Sequence, residues 1–420
     1  GESFAARHGI DLFIEQNKEH TMRPTYSLKS GLHLMAATTA LVVVFAGSAY
    51  AVDGNAVAAR LKAVYGEQGG TLEYANVETN GSTVILKDTK LSAAGAKESF
   101  NAGDVTLSDV SDVSGGGFKI GSATVPDIKF SPADEPDSKI SVEGIKLEGI
   151  TLPAEGATEP LAKMLQYQKG GLKHFNVNSK GKDVFSADNL TVSVSPFTAS
   201  APVVFTSNVA SFKADLLGVE DPKTKDTIKA LGYETLSGKI DMNGSWNIPD
   251  GRLNVDKFAF AADNAGTLGM KFDISGYTLD FIKGIQDAVK SGDGKPDDAK
   301  GMAMLVLMQQ LSFTGASIRF DDASLTNKAL DYAAKQQGAK RTDLVNQGKA
   351  ILPMMAAQLG NAEFAQALGT AVSAYLDSPK NIEIKAAPAK PVPFAIIAAG
   401  GMADPKSLIK TLGVTVNANQ

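Results

Sequence analysis

The stretch Ser138–Pro153, SKISVEGIKLEGITLP, sets a constraint that few folds can meet. It reads Ile-Ser-Val-Glu-Gly, Ile-Lys-Leu-Glu-Gly, Ile-Thr-Leu-Pro, an apolar-x-apolar triplet followed by a breaker, three times in succession. Each triplet is a strand signature, because alternate side chains leave opposite faces of a strand. Five is odd, so an uninterrupted strand would throw successive pairs onto opposite faces. Three arrangements escape this: bulges at Gly144 and Gly149 that restore the face and bend the sheet, separate short strands, or a sheet covered on both sides. Glu-Gly makes a poor tight turn for such short arms, which favours bulges and curvature. A pentapeptide solenoid would need the period to run far longer. Ile140, Val142, Ile145, Leu147, Ile150 and Leu152 are therefore expected to be buried together on a curved sheet.

Looser copies of the triplet recur at Val84/Leu86, Val105/Leu107, Phe118/Ile120, Ile128/Phe130, Leu190/Val192/Val194, Ile240/Met242, Leu253/Val255 and Phe272/Ile274. Turn residues such as Asp88, Asp109, Gly244 and Gly276 follow closely, the mark of antiparallel strands rather than βαβ units. A helix is predicted over Asp53–Gln68, with short helical inserts at Thr158–Gln168 and Pro222–Leu231. After Gly276 the period changes to 3.6. Helices are predicted at Leu279–Val289, Ala299–Leu311, Leu325–Gln337, Arg341–Leu359 (interrupted by Pro353) and Glu363–Leu376, with a strand at Ser312–Phe320. The tail returns to strand at Ile382/Ile384, Phe394–Ala398 and Val414/Val416, with a short helix at Asp404–Lys410. The expected fold is mainly β with helices, an α+β class: a long curved antiparallel sheet with a C-terminal helical insertion. Residues 52–277 form the β-rich region with its N-terminal helix, and 278–420 the helical segment ending in returning strands.

The N-terminus sets the expected compartment. Met22–Lys29 is a short basic region, Leu32–Gly47 an apolar core, and Ala49-Tyr50-Ala51 a small-residue cleavage signal, so 22–51 reads as a signal peptide and the product as periplasmic. Residues 1–21, ahead of a plausible initiator Met22, read as a non-native or over-extended start. The apolar core is shorter than a membrane span and is interrupted by His33, so no transmembrane span is expected in the mature chain. Residues 1–51 carry four basic and four acidic side chains, so removing them leaves the net charge of −5 unchanged. Such a chain lacks the basic stripe that nucleic acid requires. With no cysteine among 420 residues, disulfides, thiolate metal sites, cysteine nucleophiles and a lipoprotein anchor are excluded.

Motifs for catalysis are sparse. His174 is the one histidine beyond the leader, and Leu172, Phe175 and Val177 around it suggest a strand position. No G-x-S-x-G elbow, Walker loop or G-x-G-x-x-G occurs. Ser179–Lys182 and Ser407–Lys410 match S-x-x-K without the partner motifs, and Asp293–Asp298 reads as a linker rather than a calcium loop. No catalytic, cofactor-binding or metal-ligating residue is assigned, and no cofactor is expected. Carboxylates are plentiful enough to keep an exported carboxylate-dependent hydrolase as the alternative, although aromatic platforms for sugars are few. An outer-membrane barrel is disfavoured by the lack of aromatic girdles. The one stretch with excess hydrophobicity is Ala299–Leu311 (AKGMAMLVLMQQL). As an ordinary structural element it would be a helix buried between sheet and helices. As a binding element it would line a groove for an acyl chain, with Met302, Met304, Leu305 and Met308 adapting to the ligand.

A leader, many apolar-x-apolar-x-Gly/Asp units, and the late helical run from Ser324-Leu-Thr-Asn-Lys-Ala-Leu to Gly338, followed by a β return at Pro379/Ile382, together resemble AsmA-like and YdgA-type envelope proteins. The resemblance spans roughly Thr71 to the C-terminus and is one of style, with no diagnostic motif to carry residues across. It implies a role in outer-membrane homeostasis, in some members as a lipid-conducting β groove. The functional expectation is an exported, non-enzymatic envelope protein that binds a lipid-like ligand or an envelope partner.

Overall fold

The computed structural model describes residues 52–420 except 94, 95, 97, 160 and 293. The predicted leader at 22–51 and the extension at 1–21 lie outside the described residues, as does Asp293 of the polar linker.

Helix α1 (Gly54–Glu67) starts where Asp53 accepts hydrogen bonds from the Asn55 and Ala56 N–H groups, satisfying donors that a helix start leaves open. Its apolar spacing places Val57, Ala58, Leu61, Val64 and Tyr65 on one buried face. The strands that follow are β1 (Thr71–Glu73), β2 (Asn76–Asn80), β3 (Thr83–Ser92), β4 (Phe100–Ser108), β5 (Ser111–Val113), β6 (Gly117–Val125), β7 (Ile128–Phe130), β8 (Ser138–Glu143) and β9 (Ile145–Leu152). Then come β10 (Lys169–Ser179), β11 (Lys182–Val194), β12 (Val203–Asp215), helix α2 (Pro222–Leu231), β13 (Thr235–Asn247), β14 (Arg252–Ala262) and β15 (Gly266–Ser275). Helices α3 (Leu279–Gly292) and α4 (Asp297–Met308) precede β16 (Ser312–Asp322), and α5 (Leu325–Gln336), α6 (Arg341–Ala357) and α7 (Ala362–Asp377) precede β17 (Asn381–Ala386). The chain closes with β18 (Val392–Pro393), α8 (Phe394–Ala403), α9 (Ser407–Thr411) and β19 (Val414–Ala418).

Every pairing is antiparallel, and one open curved sheet runs through the whole set. β2 and β1 pair with successive parts of one edge of β3, and β4 with its other edge; β4 and β6 carry the sheet on to β8–β9, and β10 to β16 then pair in chain order. β15 pairs with β16 across the inserted α3 and α4, so the sheet is continuous over the 277/278 boundary. β16 then pairs with β17 and β18 along different parts of its length, and β19 adds to β17.

The six residues of the opening repeat are all buried, none above 4% exposure, so the one-sided reading of Ser138–Pro153 is met. The means differs from a bulge. On one side Val142 faces Ile128 and Ile145 faces Val125; on the other Glu143 faces His174 and Lys146 faces Gly171. Equal numbers of residues lie between these pairs on each strand, so nothing is inserted. Gly144 (φ +66°) and Gly149 (φ +69°) instead take left-handed backbone, which lets the next apolar pair return to the same face. Neighbouring strands keep step: Phe118, Ala123 and Ile128 are buried at the same interval of five, and Asp88 on β3, Gly103 on β4 and Asn189 on β11 also have positive φ. Matching pentads thus form apolar ladders across the sheet, with Val84, Leu86, Leu107, Ile120, Val142, Ile150 and Leu152 completely or almost completely buried against α1. Each such side chain contributes about 1.5–3 kcal/mol. Arg60 locks the helix in place, donating from Nε to the Pro153 carbonyl (2.5 Å) and from Nη2 to that of Ala154 (3.1 Å), while the Tyr65 hydroxyl donates to the Ser92 carbonyl (3.0 Å). True register shifts occur elsewhere: in β3–β4 on both sides of Thr89, in β10–β11 between Val177 and Asn178, and farther on between Val209 and Phe212, Asn243 and Gly244, Val255 and Phe258, and Asp273 and Ile274.

Two expected elements are corrected. Thr158–Gln168 is not a helix but holds one 3-10 turn, Leu161–Lys163, because Gln166 exchanges backbone hydrogen bonds with Thr151 and Leu165 is buried. Its Leu161/Leu165 spacing suits a helix, yet Leu165 also stands seven residues before Leu172, in step with the pairs of β10. Phe394–Ala398 is not a strand: only Val392–Pro393 pair with β16, and α8 begins directly after Pro393.

Candidate functional site

Residues Met302, Met304, Leu305 and Met308 all fall on α4. The helix is not buried between sheet and helices, and none of its residues is fully buried. Met302 is 62% exposed, Leu305 52% and Val306 59%, with Met304 also open to solvent. Only its C-terminal end is anchored: Leu307 and Met308 pack against the cluster of Ile274, Phe281 and Leu311 at the end of β15 and the start of α3. Gly284 of α3 lets the two helices approach, since a side chain there would strike Leu307. The short linker before α4 supplies Pro296 at the helix boundary and Asp297 and Asp298 in the first turn, a favourable charge at a helix start.

Helix α8 touches α4 and extends the same kind of surface. Its sequence, FAIIAAGGMA, leaves no residue buried, with Ile396 and Met402 strongly exposed. Phe394 secures its start, packing edge-on against Phe313 of β16. Val289 at the far end of α3 is also exposed. Ile396, Met402 and Val289 were missed from the sequence; the detectable signal for the first two was a run of apolar and small residues too continuous to show strand alternation. A helix apolar on every side is ordinarily covered. Here α4 and α8 are not, and among the described residues no helix is long and apolar enough to cross a membrane.

The chemistry-bearing side chains lie elsewhere. His174 sits on β10, as its neighbours predict, with Nδ1 2.7 Å from Asp188 Oδ1. The Ser211 hydroxyl donates to the other oxygen of the same Asp188, at 3.2 Å. The carboxylate is therefore at the centre of the chain of bonds. A nucleophilic relay needs the imidazole there, taking the serine proton, so this cluster is not a Ser-His-Asp relay. Next to it a cleft of about 430 Å³ is lined by His174, Lys182, Lys213, Asp215 and Glu234, among others. Partial burial pushes the Asp215 carboxyl up, but hydrogen bonds from Lys182 and the Leu217 N–H, with the charge of Lys182, outweigh it and hold the group below the usual carboxylate range. Asp215 is thus committed to an ion pair and a turn, not poised near neutrality for proton transfer. Among the described residues no group of three or more His, Asp and Glu is placed to hold a metal ion.

Two further cavities flank α7. One of about 890 Å³ runs between α6 and α7 over Pro353, Ala357, Gly360, Ala365 and Gly369. The other, about 530 Å³, lies between α7 and β19. The α4 residues line neither of them.

A family model described as "Uncharacterized protein" matches residues 259–419, which contain α3 to α9 and so the whole apolar surface. No curated protein matches the chain.

Proposed function

We propose that this is a non-enzymatic protein of the bacterial cell envelope, exported to the periplasm, that binds a lipid-like ligand on the apolar surface of α4 and α8. The observation that carries the reading is the solvent-facing set Met302, Met304, Leu305, Val306, Ile396 and Met402 on two touching helices. Scattered exposed apolar residues are ordinary, but four within five positions of one helix, Met302, Met304, Leu305 and Val306, mark a binding surface. Methionine, unbranched and polarizable, follows the shape of an acyl chain at little conformational cost. Support for export comes from the sequence of residues 22–51, and support for an envelope role from the style of repeat shared with AsmA-like proteins. The Asp215 carboxyl in the cleft, tied to Lys182 and the Leu217 N–H and held below the usual range, is unsuited to act as a general acid and favours the binding reading over a carboxylate-dependent hydrolase.

The test is extraction. Protein isolated gently from its native envelope fraction is expected to yield a stoichiometric acyl-chain lipid by mass spectrometry of the organic extract. Protein free of lipid, in a preparation where a known lipid carrier retains its cargo, would overturn the proposal.

A further inference from the structure

The two ends of the sheet are finished differently. At the N-terminal end β1 and β2 are short, carry Glu73 and Glu78, and pack beneath α1. β18 ends in Pro393. These are standard protections for a strand edge. β19 is also short and lies beneath α7, but Val414-Thr-Val-Asn-Ala418 contains no charge and no proline, and among the described residues it pairs on one side only, with β17. Its unpaired edge presents backbone donors and acceptors that a further strand can satisfy.

We propose that this edge joins two copies of the chain, β19 pairing antiparallel with its symmetry mate about a twofold axis through Val416. Three observations select a second copy as the occupant. First, the strand is self-complementary in that register. On the face beneath α7, where Val416 and Ala418 are buried, Val414 of each copy meets Ala418 of the other, large against small, and Val416 meets Val416. On the open face the exposed Thr415 meets Asn417, a hydroxyl opposite a carboxamide. Second, the strand itself carries no charge, so pairing it with its own copy opposes no like charges along the edge. Third, a twofold axis perpendicular to the sheet places both α7 helices side by side on one face. On α7 the cavity of about 530 Å³ beside β19 is walled by Glu363 and Gln366 at the N-terminal end and by Ala367, Thr370, Ala371 and Ala374 beyond them, and it is along these small side chains that a second α7 can close. In one copy this space is open; in the pair it is the centre of the interface.

The chain has no cysteine, so a register-specific cross-link can be read directly. The double variant Thr415→Cys/Asn417→Cys is expected to form a covalent dimer under mild oxidation, and each single variant to form little, because only residues 415 and 417 face each other across the axis. In sedimentation at high micromolar concentration the purified chain is expected to be a dimer. Thr415→Lys/Asn417→Lys, which opposes lysines at the edge, is expected to be monomeric with an unchanged circular dichroism spectrum and melting temperature. A chain that remains monomeric overturns the proposal and leaves the edge to a strand from another protein. A dimer that survives the lysine substitutions, or single-cysteine variants that cross-link as well as the double, overturns it by placing the interface elsewhere.

Discussion

Gly144 and Gly149 show how much a fold can rest on one backbone angle. A left-handed residue costs an ordinary L-amino acid about 1–2 kcal/mol, and glycine nothing. Asparagine and aspartate tolerate that conformation better, and the chain itself uses Asp88 and Asn189 at positive φ on neighbouring strands. Gly144→Ala is therefore expected to lower unfolding stability by at least about 1 kcal/mol, and Gly144→Asn by distinctly less. Both substitutions bring a Cβ against Cβ, Cγ and Cδ of Lys173, a packing cost common to the pair, so the difference between them reports the backbone. Urea denaturation of the two variants beside the parent checks this; equal losses for Ala and Asn would mean that φ at residue 144 is not what turns the pleat. The glycine positions were readable from the repeat, because an odd interval demands a break. The kind of break was not, since a bulge and a left-handed residue both restore the face, and only the pairing of Val142 with Ile128 and of Ile145 with Val125 separates them.

Helix α1 and strand β9 illustrate what joins elements once the ladders have formed. The guanidinium of Arg60 spans from helix to the carbonyls of Pro153 and Ala154, just past the end of β9, where the Ala154 carbonyl also accepts from the Ala157 N–H (3.3 Å). Hydrogen bonds from a charged donor contribute about 1.5–3 kcal/mol each. Arg60→Met, which keeps the stem and removes the fork, is expected to destabilise the chain by about 2–4 kcal/mol, measured by the same denaturation. Elements with a clear period were legible: α1 from Asp53 and its 3–4 spacing, and α7 from the apolar face of Glu363–Leu376, though not its cap Asn361, whose side chain accepts from the Phe364 N–H. Elements whose residues fit two templates were not. Phe394–Ala403 is apolar almost throughout, so it reads equally as a strand or a helix; Leu161 and Leu165 match a helix turn, yet the ladder claims Leu165 for the sheet. Met302, Met304, Leu305 and Met308 stand out in the sequence as an apolar group, but their exposure could not be read, because an apolar helix is normally explained by burial.

At the scale of the whole molecule, one sheet carries two different jobs. Its first half spends its apolar face on α1, through ladders set five residues apart. Its second half serves as a platform on which α4 and α8 are raised with apolar side chains outward, while α3 turns Phe281, Ile282 and Ile285 inward. Surface substitutions away from packed groups usually change stability by no more than about 0.5 kcal/mol, so the exposed face can be altered without touching the fold. This separation makes the binding claim open to a direct measurement. Binding of a fluorescent long-chain fatty acid by the purified chain should be compared with that of Leu305→Asp/Ile396→Asp. Covering one such side chain contributes about 1.5–3 kcal/mol, or roughly tenfold or more in affinity, so the account predicts at least that loss with the melting temperature unchanged. An affinity equal in the two proteins would contradict it.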